Sequence, residues 1–200
     1  MEDGKNIQTG LTYEQAKTLL DQYIKEPANR AHCRESEVVL RGLAKRLGAN
    51  EEAWGILGLL HDIDWELALK EGVGKHCSLC VEILKNAGMT EEAIQVVQSH
   101  GYGVPELAFG DKQRTRLVEY ALAAGETITG LIYACALVRP EKKLAAVEAS
   151  SVKKKFKEKN FAAKVNREII RECEKMGLTV EEFIGIALEA MKGIAGEIGV

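Results

Sequence analysis

Apolar positions recur along this chain at three- and four-residue intervals, and no stretch alternates with period two, so the pattern predicts an all-α protein. After a polar opening through Gly10, Thr12 with Gln15 three positions later has the form of a capping box and predicts a first helix, which Pro27 ends. From about Ala28 the positions His32, Val39, Leu43 and Leu47 share a helical face, and Gly48 supplies a left-handed stop. Asn50 caps a third helix with Glu51 and Glu52 in its first turn, where negative charge suits the macrodipole. Its apolar stripe runs through Trp54 and Leu57 to His61, with Asp62 turned about 100° away.

The same periodicity predicts a helix over Val73 to Ala87 with His76, Leu79, Cys80 and Ile83 on one face, closed by Gly88. Thr90 caps the next, through Ala93, Val96 and Val97 to His100. GYGVPELAFG is a turn cluster and predicts a loop at the mouth of whatever the histidines line. From Asp111 the helical pattern resumes through Leu117, Tyr120 and Leu122 into AAGETITGLIYACALVRP, whose small residues permit close packing. Beyond Pro140 the pattern predicts an alanine-rich helix, the basic run SVKKKFKEKNF, a helix through Val165, Ile169 and Cys173, and a last helix capped by Thr179 and Glu182.

Composition narrows the setting. With 200 residues and 46% hydrophobic content the chain can bury one sizeable core, and no repeat or low-complexity linker divides it, so a single domain over 1–200 is expected. A formal net charge of -3 gives no global attraction to nucleic acid or an anionic membrane, and the apolar runs fall short of a span. Five cysteines without an apolar leader favour a reducing, cytoplasmic setting. Phe183, Ile184, Ile186, Leu188 and Met191 are enough to cover either the chain's own core or a second copy, leaving a homo-oligomer open.

The chemistry centres on LLHDIDWE, where His61 and Asp62 are adjacent at the end of an apolar run: an imidazole nitrogen and a carboxylate oxygen at the wall of a core are the start of a metal site. The other histidines, His32, His76 and His100, each stand where a further ligand could come from. Glu126 is the one acid in an apolar stretch and needs a cation or donors if buried. Asp64 is placed either to orient a ligand histidine or to cap a helix. Glu66, four residues after Asp62, is a candidate for proton transfer, with a solvated carboxylate as the alternative. Cys77 and Cys80 form a CxxC that suits core packing, with a metal or regulatory role as the alternative. Lys153, Lys154 and Lys157 in the basic run, and Arg139 before Pro140, are candidates to hold phosphate oxygens, although such charges also serve as solvated faces or C-terminal caps.

The ordered set His32, His61-Asp62 and a late acid at Glu126, on a chain of helices, resembles the HD-domain superfamily of metal-dependent phosphohydrolases. The resemblance covers roughly Arg30 to Pro140. It implies a metal-binding core over about 28–140 and a helical extension over about 141–200, with one divalent ion held by His32, His61, Asp62 and the late acid. Members with two further histidines between the pair and the late acid bind two ions, and His76 and His100 stand in that order. The family normally has aspartate where this chain has Glu126.

The resemblance implies hydrolysis of a phosphate ester or anhydride by metal-activated water, with a small phosphorylated molecule, expected to be a nucleotide, as substrate and Asp62 and Glu66 as candidate catalytic groups. Manganese, iron, nickel, cobalt and zinc all suit such mixed ligands. The alternative is a nucleotide-binding or regulatory module in which the altered late ligand has weakened catalysis.

Overall fold

The computed structural model describes residues 4–200, and within them the regular elements are all helical, with no strand. In chain order the helices are α1 (Tyr13–Tyr23), α2 (Pro27–Leu47), α3 (Glu51–Leu60), α4 (Trp65–Glu71), α5 (Cys80–Asn86), α6 (Glu91–Ser99), α7 (Leu117–Leu137), α8 (Ala149–Lys157), α9 (Arg167–Arg171), α10 (Val180–Lys192) and α11 (Ala195–Ile198). Single 3-10 turns cover Val73–Lys75, Leu144–Ala146 and Glu172–Met176.

The capping residues act as the sequence predicts. Thr12 and Gln15 close a capping box on α1, Asn50 and Thr90 accept from the backbone of Ala53 and Ala93, Thr179 and Glu182 close a second box on α10, and Gly48 ends α2 in the left-handed region. Pro27 does not end α1, which stops at Tyr23. It opens α2 at the first helical position, where its missing N–H costs nothing.

Three predicted elements are corrected by tertiary contacts. Val73 to Ala87 is not one helix: Cys77 has φ 65 and breaks it, and α5 begins only at Cys80, whose backbone N–H donates to Asp64 Oδ2 at 2.8 Å. α7 begins at Leu117 rather than near Asp111, because Glu119 Oε2 accepts from the backbone of Thr115 and Arg116 at 2.8 and 3.0 Å and holds the chain extended there. The alanine-rich stretch after Pro140 is the 3-10 turn Leu144–Ala146, and Val165 lies ahead of α9.

α2 is the centre of the packing, with α3, α7 and α10 all laid against it. Its buried side chains Val39, Leu40 and Leu43 join Trp54, Leu57, Leu122, Ile128 and Phe183 in one apolar cluster that runs into the C-terminal helices. Phe183, Ile184, Leu188 and Met191 of α10 are spent on this core, and Ile186 lies against Gly42 of α2. α7 has the length and composition of a membrane span, but it is mostly buried inside the protein.

Two glycines set the spacing. A Cβ on Gly58 of α3 would lie 2.6 Å from the Ser36 carbonyl oxygen on α2, and one on Gly125 of α7 would lie 2.6 Å from Leu40 Cδ2. The first obstacle is backbone, so α2 and α3 cannot cross this closely with any other residue at 58. Gly58→Ala is therefore expected to destabilise the protein by about 1–3 kcal/mol, as overpacking does, read as a lower urea midpoint at unchanged slope. An unchanged midpoint would show that the crossing can relax.

Candidate metal centre

The crossing of α2 and α3 brings His32 against His61, with their Nε2 atoms 3.2 Å apart. α3 ends as His61 takes its C-cap, and the turn that follows swings the Asp62 carboxylate across the face of the cluster. Asp62 Oδ1 then lies 3.5 Å from His61 Nε2, 3.3 Å from His76 Nε2 and 3.4 Å from His100 Nε2. Its Oδ2 lies 3.8 Å from His32 Nε2, and Glu126 Oε2 is 3.8 Å from the same nitrogen. His76 and His100 meet at 3.0 Å between their Nε2 atoms. All six residues named as ligands from the sequence are thus in one place, although they come from five separate elements and turns.

The far side of every ring is occupied. His61 Nδ1 donates to the Gly58 carbonyl at 2.8 Å, His100 Nδ1 to that of Val97 at 2.6 Å, and His76 Nδ1 to Asp64 Oδ1 at 2.7 Å. His32 Nδ1 donates to Thr129 Oγ1 at 3.1 Å, whose own hydrogen goes to the Glu126 carbonyl at 2.7 Å. With the hydrogen on Nδ1, each neutral ring presents a bare Nε2 lone pair to the centre. Lone pairs 3.0–3.2 Å apart repel unless a proton or a metal cation stands between them.

Charge follows from this geometry. Burial pushes the His61 imidazole down to about 3 against the pull of Asp62. Burial would do the same to His76, but the carboxylates of Asp62 and Asp64 on its two nitrogens outweigh it and carry it up to about 12. His100 is likewise raised, chiefly by Cys77 and Asp62 against the cost of burial. Asp62 is largely withdrawn from water, which would raise its carboxyl, yet the surrounding imidazoles hold it well below the usual range. Two imidazolium rings cannot both point an N–H across 3.0 Å, so without a metal at most one proton stands between His76 and His100.

A divalent ion fits this donor set: imidazole nitrogens and carboxylate oxygens with fixed tautomers are what such ions bind. Two groups lie at ligand spacing, His32, His61 and Asp62 in one, and His76, Cys77 and His100 in the other, the donor atoms of each within 4.8 Å of one another. His32 and Asp62 are partly open, with side-chain exposures of 30% and 17%, as is the neighbouring Glu126 at 18%, whereas His61, His76 and His100 are at 1%, 9% and 7%.

Asp64 fills both roles weighed for it, orienting His76 with one oxygen and capping α5 with the other. Glu66 is engaged elsewhere: its Oε1 accepts from the backbone of Lys25 and Glu26 at 3.0 and 2.8 Å and from Asn29 at 3.1 Å, so it caps α2, whose own N-cap residue offers no side-chain bond. The basic residues are not brought to the cluster either. Arg139 donates to Ser151 Oγ, Lys153 pairs with Glu181, and Lys153 and Lys157 line a surface groove of about 550 Å³ with Phe156 and Arg171. Lys154 is exposed on the same short helix, α8. Arg139 lies just past the end of α7, whose last residue Leu137 is already about 16 Å from Glu126 along the helix at 1.5 Å per residue.

Three contributors were missed. Glu35, three residues beyond His32, is buried, and that burial pushes its carboxyl up to about 7 despite His32 and Thr129. Arg114, 8% exposed, donates to the carbonyls of Ser99 and Tyr102 on either side of the His100 turn and forms a bidentate pair with Glu172. Thr129 orients His32. Helical spacing from a named ligand, three residues for Glu35 and for Thr129 after Glu126, was the available signal, while Arg114 carried none. Comparison with protein-family models, curated proteins and solved structures finds no match to this chain.

Asp64→Asn replaces one acceptor oxygen by a donor, so metal affinity is expected to fall about 10–100-fold with helix content retained, measured by chelator competition. Unaltered affinity would mean that Asp64 serves folding alone. Glu35 has a folded pKa near 7 against 4.5 for the free side chain, so its contribution is fully present below pH 4.5 and is lost as pH rises to 7. In metal-free protein Glu35→Gln should match the parent near pH 4 and exceed it at pH 8 by up to about 3 kcal/mol in urea unfolding. Equal stability at both pH values would refute the buried-acid penalty.

Proposed function

We propose that the chain is an HD-type metal-dependent phosphohydrolase acting on a phosphate ester or anhydride of a small molecule, with a nucleotide the favoured class. The observation that carries this reading is the convergence of four imidazole Nε2 atoms on the Asp62 carboxylate with every Nδ1 held by an acceptor. Such tuning of all four rings is hard to account for in a core built only for packing. His32, His61, Asp62 and Glu126 would hold one divalent ion, and His76 and His100, sharing Asp62, a second.

A bound ion there supplies Lewis acidity, lowering the pKa of a coordinated water from about 16 toward about 7 and neutralising charge on phosphoryl oxygens. The protein's own part is to hold the rings in one tautomer, to keep water from the His76–His100 end, and to leave the His32–Glu126 edge open for phosphate. Lys153 pairs with Glu181 and Arg139 donates to Ser151, so neither is assigned to the phosphate. Charge on the phosphate is therefore met at the centre itself. Glu126 offers an oxygen to His32 Nε2 at the same 3.8 Å as Asp62 does, so the longer side chain reaches the position that an aspartate would serve. This favours an enzyme over a module with a lost ligand.

The test is elemental analysis of the purified chain together with phosphate release from a nucleotide panel in manganese, iron, nickel, cobalt, zinc and magnesium. One to two ions per chain and metal-dependent release are expected, with turnover falling at least about 100-fold in His61→Ala and Asp62→Ala at unchanged helix content. Bound metal without release from any substrate would point to the nucleotide-binding or regulatory alternative. Absence of metal, with His61→Ala indistinguishable from the parent, would end the metal reading.

A further inference from the structure

Cys77 is placed as a ligand would be. Its side chain is fully buried, and Sγ lies 3.5 Å from His100 Nε2 and 4.0 Å from His100 Nδ1, with no backbone carbonyl taking its hydrogen. Cys80 provides the contrast: its Sγ donates to the Cys77 carbonyl at 3.2 Å, as a satisfied core thiol does. Cys77 also has φ 65, a conformation that costs a non-glycine residue about 1 kcal/mol or more. That conformation is fixed from outside, since Gln98 Nε2 donates to the Cys77 carbonyl at 3.1 Å and Gly101 leaves room for Sγ where a Cβ would come within 2.6 Å of it.

We propose that Cys77 supplies a thiolate to the inner metal position, which then has two imidazole nitrogens from His76 and His100, one sulfur, and one oxygen from Asp62. This deepens the metal-centre reading above and rests on it. In a tetrahedral zinc site the nitrogen–sulfur edge is about 3.5 Å and the nitrogen–nitrogen edge about 3.3 Å, from bonds of about 2.3 and 2.0–2.1 Å. The observed 3.5 Å from Sγ to His100 Nε2 equals the first edge and the 3.0 Å between the two imidazoles is about 0.3 Å short of the second, so an ion would enter with a small spreading of the rings. On binding, the S–H bond breaks, its electron pair goes to the ion and the proton leaves to solvent. A thiolate makes the inner position softer than the outer one, so it selects zinc, cobalt or ferrous iron over magnesium and manganese.

The experiment uses the full chain, stripped with chelator and titrated with cobalt(II). The expected result is a near-ultraviolet sulfur-to-cobalt charge-transfer band that grows with the inner ion, is lost in Cys77→Ala, and persists in Cys80→Ala and Cys33→Ala. The same Cys77→Ala protein should bind zinc at the inner position at least about 10-fold more weakly. X-ray absorption of the zinc-loaded parent should show one sulfur at about 2.3 Å, a readout that stands even if the variant fails to fold. Cobalt bound at both positions with no sulfur band, or a band that survives Cys77→Ala, would overturn the thiolate while leaving the histidine centre intact. Failure to bind cobalt at all would overturn both.

Discussion

The close crossing of α2 and α3 at Gly58 is the constraint from which the site follows. Where the Gly58 backbone meets the Ser36 carbonyl there is no space for a side chain, and that proximity sets how near His32 can stand to His61. α7 approaches α2 on the other flank through Gly125, one residue before Glu126. Glycine thus appears within three residues of a candidate ligand on two helices for the same reason: rigid cylinders must come close before their side chains can meet at one point. The entropy that each glycine costs a helix interior is offset by packing that no larger residue could reach.

His61 and His100 solve one problem in the same way. Each stands at the C-cap of its helix and turns Nδ1 back onto the carbonyl three residues earlier, in the last turn, where that of Val97 also accepts the His100 backbone N–H at 3.4 Å. The helix end gains a donor, and the ring gains a fixed tautomer. His76 has no such helix end and donates to the buried Asp64 carboxylate instead, which together with Asp62 makes this ring far more basic than His61.

Local signals in the sequence specified much of this. Caps at Thr12, Asn50, Thr90 and Thr179 and the stop at Gly48 are chemistry within four residues, and the structure uses each as expected. That the six candidate ligands would converge was legible because histidines and acids in apolar stretches are few and stand at helix ends or on apolar stripes. What failed to show were interactions between residues distant in sequence. Glu66 faces the start of α2 some 40 positions away, Asp64 restarts the chain at Cys80, and Arg114 ties the His100 turn to Glu172. Periodicity sees none of these, and for that reason Val73 to Ala87 was drawn as a continuous helix and Glu66 was assigned to the wrong neighbour.

His32, Asp62 and Glu126 form the one partly exposed edge of the cluster, and His61, His76 and His100 lie buried behind it. Traffic in the cluster is single file: whatever reaches or leaves its buried part passes that edge or waits for the helical shell to open. Local opening of a packed shell is rare and slow beside diffusion through an exposed edge. On the proposed reading, an ion at the exposed edge would therefore exchange with its surroundings faster than one held a few ångströms away by His76 and His100.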